Sequence, residues 1–356
     1  PVTCDPGPGP YNPGQYPGLA CSADICAIPC DPFPPENDTC NTLTVEADRD
    51  VPYRFAPVIG YDTGNTGVLR TAACRGSCGN PSASPGDLVL VLDRTGSMRP
   101  QDVAALQDAS QAFLESLSPS LHHVALGTLG RSASAPPPGC PTTPSSSGGA
   151  GPWVPVGLRN DYDLTDNDPP DSPADLNSAS PLVQGIACLT NSSTGTNLGD
   201  PMAAAGAHLL ANGRPDVPRG ILFMTDGEAN QPAVGSPCNH AKTQAAAVEA
   251  TDTSIITVAY RLLGVNCGGE LATSVLAQMA TDPVSGVVVT ADDGGDGPGG
   301  LAPGCTNATS IAAENADGDH FLCAPSEAEL TAVFIAAADA LIADQNDKLR
   351  LIRIPG

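Results

Sequence analysis

The chain has 356 residues, with 39 acidic against 15 basic side chains and a formal charge of −24. Nucleic acid and anionic membrane surfaces repel such a protein, so neither is expected as a partner. Thirteen cysteines without a CxxC…CxxC pair point away from zinc ribbons and toward disulfides made in an oxidising, extracellular or cell-surface compartment.

Residues 1–41 are rich in Pro, Gly and Cys (PGPGPYNPGQYPG, CDPFPPENDTC) and read as an irregular, disulfide-stapled arm. The arm carries Cys4, Cys21, Cys26, Cys30 and Cys40, an odd number, whereas the other eight can pair among themselves. The leftover thiol is therefore expected in the arm, where it offers a route to self-association. Residues 42–80 alternate as strands do and end in Cys74-Arg-Gly-Ser-Cys78, a candidate disulfide. The closing LRLIRIP, within 347–356, alternates again and can add a strand to this β-rich segment. Pro and Ser at 81–86 then lead into a domain spanning 81–346.

That domain begins with DLVLVLDRTGSM, five apolar residues running into Asp93. An unbroken Leu/Val run describes a strand buried on both faces. Val103, Leu106, Ala109, Phe113 and Leu117 then recur as a helical stripe over 101–117, and HHVALGTLG is the next strand. Residues 131–180 form a long insertion rich in Pro, Ser, Gly and Asp, of a length that is usually functional. Helical PLVQGIACL, the loop GTNLGD and helical PMAAAGAHLLANG come next. RGILFMTDG is a second apolar run ending in an aspartate. Helices are expected at 240–251 and 269–281, strands at 254–260 and HFLCAP, and a last helix at 327–346 capped by Ser326 with Glu329. Alternating strands and helices define an α/β fold, a doubly wound and mostly parallel sheet flanked by helices.

In a parallel sheet the loops after the strands share one edge, and three of them carry hard oxygen donors: Asp93, Thr95 and Ser97; Thr196; and Asp226. Such donors suit Mg²⁺, Ca²⁺ or Mn²⁺. A second cation site is considered at Asp161, Asp163, Asp166 and Asp168. This stretch lacks the Gly and closing Glu of an EF-hand, so a looser Ca²⁺ loop and a solvated acidic loop both stay open. Disulfide candidates besides Cys74–Cys78 are Cys140–Cys188, bracketing the insertion, Cys238–Cys267 and Cys305–Cys323. Nucleophilic catalysis has no support, since Ser97 lacks a His partner near it in sequence and no P-loop, GxSxG or HExxH occurs.

The order D-x-T-x-S, GTN, TDG resembles the metal-ion-dependent adhesion site of von Willebrand factor A (VWA) domains. Thr95 stands where the family's usual D-x-S-x-S has Ser, which keeps the hydroxyl. The resemblance implies a divalent ion at the upper rim, held directly or through water by Asp93 and Asp226 with Thr95, Ser97 and Thr196 filling other positions. It also implies an open coordination position that an acidic side chain of a protein partner completes. HVALGTLG, GTNLGDPMAAA, GRPDVPRGILFMTDGEANQP, AENADGDHFLCAP and LRLIRIP further resemble the VWA-containing TadG-like proteins of bacterial tight-adherence (Flp) pilus loci. Members typically begin with a membrane-spanning helix, and no apolar run of that length stands in this sequence. The implied function is a non-enzymatic bacterial adhesion or pilus-assembly protein. The alternative is a structural subunit of an extracellular filament or surface layer whose metal and Asp-rich loops stabilise the fold.

Overall fold

The computed structural model describes residues 85–346, apart from 146–150, 165–175, 193, 228, 233–234, 263, 268, 283–286, 289–304, 306 and 316–319, together with seven short strands within 20–75 and 349–352. The chain divides into two compact units, Pro1–Ser84 with Gln345–Gly356, and Pro85–Asp344.

The first unit is antiparallel throughout its described strands. Here β1 (Ala20–Ser22) pairs with β2 (Ile25–Ala27), and β4 (Asp50–Pro52) pairs with β5 (Thr63–Asn65). A three-stranded sheet is built from β3 (Thr42–Ala47), β6 (Leu69–Arg75) and the last strand of the chain, β17 (Leu349–Ile352), with β6 in the middle. Leu351 stands opposite Ala73, and Leu43 opposite the same residue on the other side. Most arm cysteines, and Cys78 of the Cys74–Cys78 candidate, lie outside the described residues.

The second unit is a six-stranded sheet between helices. In chain order it contains β7 (Gly86–Asp93), α1 (Pro100–Glu115), β8 (His122–Leu129), β9 (Val156–Arg159), α2 (Pro181–Ala187), α3 (Gly199–Asn212), β10 (Arg219–Thr225), α4 (Pro237–Glu249) and β11 (Thr253–Tyr260). Two small antiparallel pairs lie next, around α5 (Ala272–Ala277): β12 (Asn266–Cys267) with β13 (Glu270–Leu271), and β14 (Thr281–Asp282) with β15 (Val287–Val288). Then come α6 (Ala308–Glu314), β16 (Phe321–Ala324) and α7 (Glu327–Asn346). The sheet order is β16-β11-β10-β7-β8-β9, parallel except for β9, which runs antiparallel at one edge. This edge strand lies inside the Pro/Ser/Gly-rich 131–180 stretch, where the residue pattern predicts only an insertion. The helix expected over 269–281 shortens to α5, because β13 and β14 occupy its two ends.

The apolar run of β7 divides between two cores by the two-residue period of a strand. Leu88, Leu90 and Leu92 join Leu106, Phe113, Ile186 and Phe334 on one face, among α1, α2 and α7. Val89 and Val91 join Met202, Leu209, Ala245 and Val275 on the other, among α3, α4 and α5. On that face α3 and α4 touch closely, and a Cβ on Gly206 would sit 2.5 Å from Val248 Cγ2. Ser180-Pro181 and Ser236-Pro237 start α2 and α4 alike: the Ser hydroxyl accepts a first-turn amide and the Pro ring fills the position whose N–H has no helical partner.

Two disulfides fasten this unit, Cys238–Cys267 between α4 and β12, and Cys305–Cys323 onto β16. Cys140 and Cys188 are brought side by side as two thiols and carry no S–S bond, so the third pairing expected within this unit is not formed here. At the opposite sheet edge from the loops, the fully buried Asp87 accepts Arg214 N at 2.5 Å and Arg214 Nε at 2.8 Å, and Arg214 Nη2 also bonds Leu121 O at 2.7 Å. Removing one partner strands a buried carboxylate. Arg214→Met is therefore expected to destabilise the chain by about 3 kcal/mol, read as a lowered denaturant midpoint at unchanged slope.

Candidate metal centre

The order of connections determines where a ligand can enter. From β7 the chain moves to β8 on one side, and from β10 it moves to β11 on the other. Between these two neighbouring parallel strands the winding reverses, and the crevice beyond their carboxyl ends is where open α/β sheets bind ligands. Asp93 ends β7, and Asp226 comes directly after β10.

Asp93 is fully buried, and both carboxylate oxygens are occupied by donors. Oδ1 accepts Thr95 N at 2.7 Å and Thr95 Oγ1 at 2.8 Å; Oδ2 accepts Thr225 Oγ1 at 2.6 Å and Asp226 N at 3.3 Å. Asp93 thus ties the two strand ends together. The next layer outward is a group of oxygens in mutual contact. Thr95 Oγ1 lies 3.1 Å from Thr196 Oγ1 and 3.3 Å from Ser97 Oγ, and Ser97 Oγ donates to Asp226 Oδ1 at 2.5 Å. All five residues read from the sequence therefore meet at one place, with Ser97 on the solvent side.

Several supporting groups were not singled out from the sequence. Thr225, the first residue of the T-D-G turn, bonds Asp93 and also accepts Gly227 N at 3.1 Å. Asn230 Oδ1 holds Thr196 N at 2.9 Å, and Asn191 Nδ2 holds Thr95 O at 2.8 Å and bonds Met98 O. Gly227 leaves room for the donors, because a Cβ there would stand 3.0 Å from Thr196 Oγ1 and 3.3 Å from Ser97 Oγ and would press on both. Arg94 turns inward, away from the oxygens; it is fully buried and donates to Gly130 O at 2.9 Å, to Ser132 Oγ at 3.1 Å and to Thr142 O. Local turn chemistry was the only available signal for Thr225, whereas Asn191, Asn230 and Arg94 act through long-range contacts.

The electrostatics call for positive charge. Burial pushes the Asp93 carboxyl above its ordinary range, more strongly than the bonds from Thr225 and Thr95 pull it down. Asp226 is pushed up to about 7, first by burial and then by the charge of Asp93, against the stabilising bond from Ser97. Two acids that resist ionising side by side are a site for a cation or for protons. The donor set fits the former. Oxygen–oxygen separations of 3.1 and 3.3 Å match adjacent ligands of an octahedral ion, which lie about 3.0 Å apart for metal–oxygen bonds of about 2.1 Å and about 3.4 Å apart for about 2.4 Å. Thr95, Ser97, Thr196 and Asp226 are the residues that can hold it, with Asp93 behind them.

The second candidate is not assembled in the same way. Asp161 is engaged by Arg159, whose Nε donates at 3.1 Å, and by Ser180 Oγ at 2.9 Å; Arg159 holds its carboxyl below the usual range. Asp163 lies in a β-bridge with Leu176, and Asp166 and Asp168 are outside the described residues. Among the described residues, no group of three or more His, Cys, Asp or Glu side chains gathers as a metal site.

No family model matches the sequence, and no curated protein matches it. Solved structures similar to the chain include proximal thread matrix protein 1 from the mussel byssus, described with a zinc-occupied MIDAS motif, at 14% identity and a TM-score of 0.41 over 72% of this chain and 45% of that one. The pilus adhesin SpaC from Lactobacillus rhamnosus GG, in an open conformation, aligns at 13% identity and a TM-score of 0.46, over 77% of this chain and 32% of that one. The SpRpn10 VWA domain aligns at 14% identity and a TM-score of 0.39, over 70% and 93%. The chain thus spans under half of the byssus protein and about a third of the adhesin.

Because folding raises the Asp226 pKa from 3.8 to about 7, the metal-free folded chain holds a proton that the unfolded chain has released over that window. The unfolded state then binds fewer protons, so this group's contribution to stability falls as pH rises from about 4 to about 7. Denaturant midpoints measured across this range in EDTA should show that fall in the wild-type chain, and Asp226→Asn should remove it.

Proposed function

We propose that the chain is a VWA-type, non-enzymatic adhesion or assembly protein of an extracellular or bacterial cell-surface setting, binding a partner's carboxylate through a divalent cation. The observation that carries this reading is the oxygen cluster at the reversal of sheet winding, where one half-exposed carboxylate and three hydroxyls face one point above a second, buried carboxylate. Asp93 has its acceptor positions filled by protein donors, so Asp226 is the one acid of the two left to contact the ion. A dication with a single direct carboxylate keeps a positive surplus, and an incoming Glu or Asp neutralises it. Hydrolysis through the ion needs a base placed near a metal-bound water, and among the described residues no histidine bonds the side chains of the five cluster residues. Two disulfides support an exported protein; among the described residues no helix is long and apolar enough to cross a membrane. The order of the three motifs resembles the VWA adhesion site, and the tight-adherence pilus relationship rests on the quoted sequence phrases.

Two measurements test this. Calorimetric titration with Mg²⁺, Ca²⁺ and Mn²⁺ should give one site, and Asp226→Ala should weaken it at least tenfold while leaving the metal-free denaturation midpoint equal or higher, since a half-buried acid next to Asp93 is removed. Beads coated with the chain should adhere to a surface bearing a Glu-containing peptide in Mg²⁺, and lose adhesion in EDTA or when Gln replaces Glu. Adhesion undiminished by EDTA would sink the cation-bridged mechanism.

A further inference from the structure

We propose that Cys140 and Cys188 are a reversible thiol–disulfide site, and that joining them fastens the segment that delivers Thr196 to the cation cluster. The inference rests on the cation reading above for its effect on metal binding, but not for the bond itself.

Geometry brings the two thiols together from distant stretches. Cys188 Sγ lies 3.2 Å from Gly139 O, and Cys140 Sγ lies 3.8 Å from Cys188 O. Both are half-buried, whereas Cys238, Cys267, Cys305 and Cys323 in the two formed disulfides are 1–6% exposed. A soluble disulfide or thiol can therefore reach this pair and not the others. Flanking contacts hold the approach: Thr142 Oγ1 donates to Gly185 O at 2.8 Å, and the buried Arg94 guanidinium bonds Thr142 O.

The segment running from Cys188 to α3 supports the metal centre. Asn191 bonds Thr95 O and Met98 O; Ser192 N donates to Arg94 O at 2.6 Å; Gly96 N donates to Thr194 O at 3.3 Å; Thr196 then supplies its hydroxyl. This stretch leaves α2 at Cys188, and its described residues form no helix or strand before α3 apart from an isolated bridge between Asn197 and Gln231. It is held at its start by Gln107 Nε2, which bonds Ala187 O at 2.9 Å and Leu189 O at 3.1 Å. A covalent tie at Cys188 fixes the start of this span against Cys140 and so helps keep these bonds in register.

The chemistry balances with glutathione disulfide as oxidant. The Cys140 thiolate attacks one glutathione sulfur and expels a glutathione thiolate; Cys188 then gives up its proton to solvent and attacks the Cys140 sulfur, expelling the second. Two protein thiols are oxidised and one glutathione disulfide is reduced to two thiols. Burial, and then the bond to Cys140, push the Cys188 thiol up to about 11, which keeps it protonated while the first attack occurs.

The test uses the full chain poised at increasing ratios of reduced to oxidised glutathione, alkylated, and digested for mass spectrometry. The Cys140–Cys188 cross-linked peptide should form at oxidising ratios and disappear at ratios that leave Cys238–Cys267 and Cys305–Cys323 intact. Amide exchange at Gly96 and Ser192 should slow on oxidation in metal-free buffer. Mg²⁺ should bind the reduced chain about tenfold more weakly, as when a binding-competent state falls to about a tenth of the population. The Cys140→Ser, Cys188→Ser double variant should behave as the reduced form at every ratio. Failure of the cross-link to form, or exchange identical in both forms, overturns the inference. Exchange needs no cation, so a chain that binds Mg²⁺ in neither form removes the cation reading, while slowed exchange still supports the tie.

Discussion

The Asp93 carboxylate is the constraint on which the site depends. A buried acid costs several kcal/mol when it is ionised without partners. Here two hydroxyls and two backbone amides from two strand ends surround it. Those four bonds fix the turn after β7 and the turn after β10 in one arrangement, and the outer hydroxyls inherit their positions from it. One carboxylate is thereby committed to architecture, and Asp226 is left nearer the solvent.

Around this anchor the structure spends its remaining polar groups on loop carbonyls. Arg94, Asn191 and Asn230 reach across large sequence separations to hold main-chain oxygens and amides next to the donors. None of these three is among the five candidate ligands, yet each sets where a ligand-bearing turn lies. Beside them, Asp102 gathers Arg99, Tyr260 OH at 2.8 Å and Arg261 Nη1 at 2.9 Å, and Arg99 continues to Glu327 at the start of α7. These rim arginines are already paired with acids, so they add little unbalanced positive charge beside the oxygen cluster.

Much of this was legible in the sequence because it is written in short, local patterns. DLVLVLD announces a strand covered on both faces, and burial of all eight β7 residues accounts for it. The D-x-T-x-S, GTN and TDG turns each carry their donors within a few residues, so parallel-sheet topology alone suffices to assemble them. The strand β9 was not legible: Val156 is its one buried residue, and an edge strand amid Pro, Ser and Gly leaves almost no periodic trace. Arg94 was equally hidden, since an arginine between Asp and Thr in a turn reads as solvated although here it is fully buried. Asp161 shows the opposite case. Its acidic neighbourhood left a Ca²⁺ loop and a solvated loop both open, and the structure pairs its carboxylate with Arg159, two residues earlier.

The sheet of the second unit is long at its centre and short at its rims. The inner strands β7, β8, β10 and β11 run seven or eight residues, whereas β9 and β16 at the two borders have four each. Truncated borders expose few unpaired backbone amides and carbonyls, the groups through which sheets of separate molecules zip together. So tapered a sheet leaves little backbone for strand addition by another copy, and contacts fall instead to side-chain chemistry at the loops.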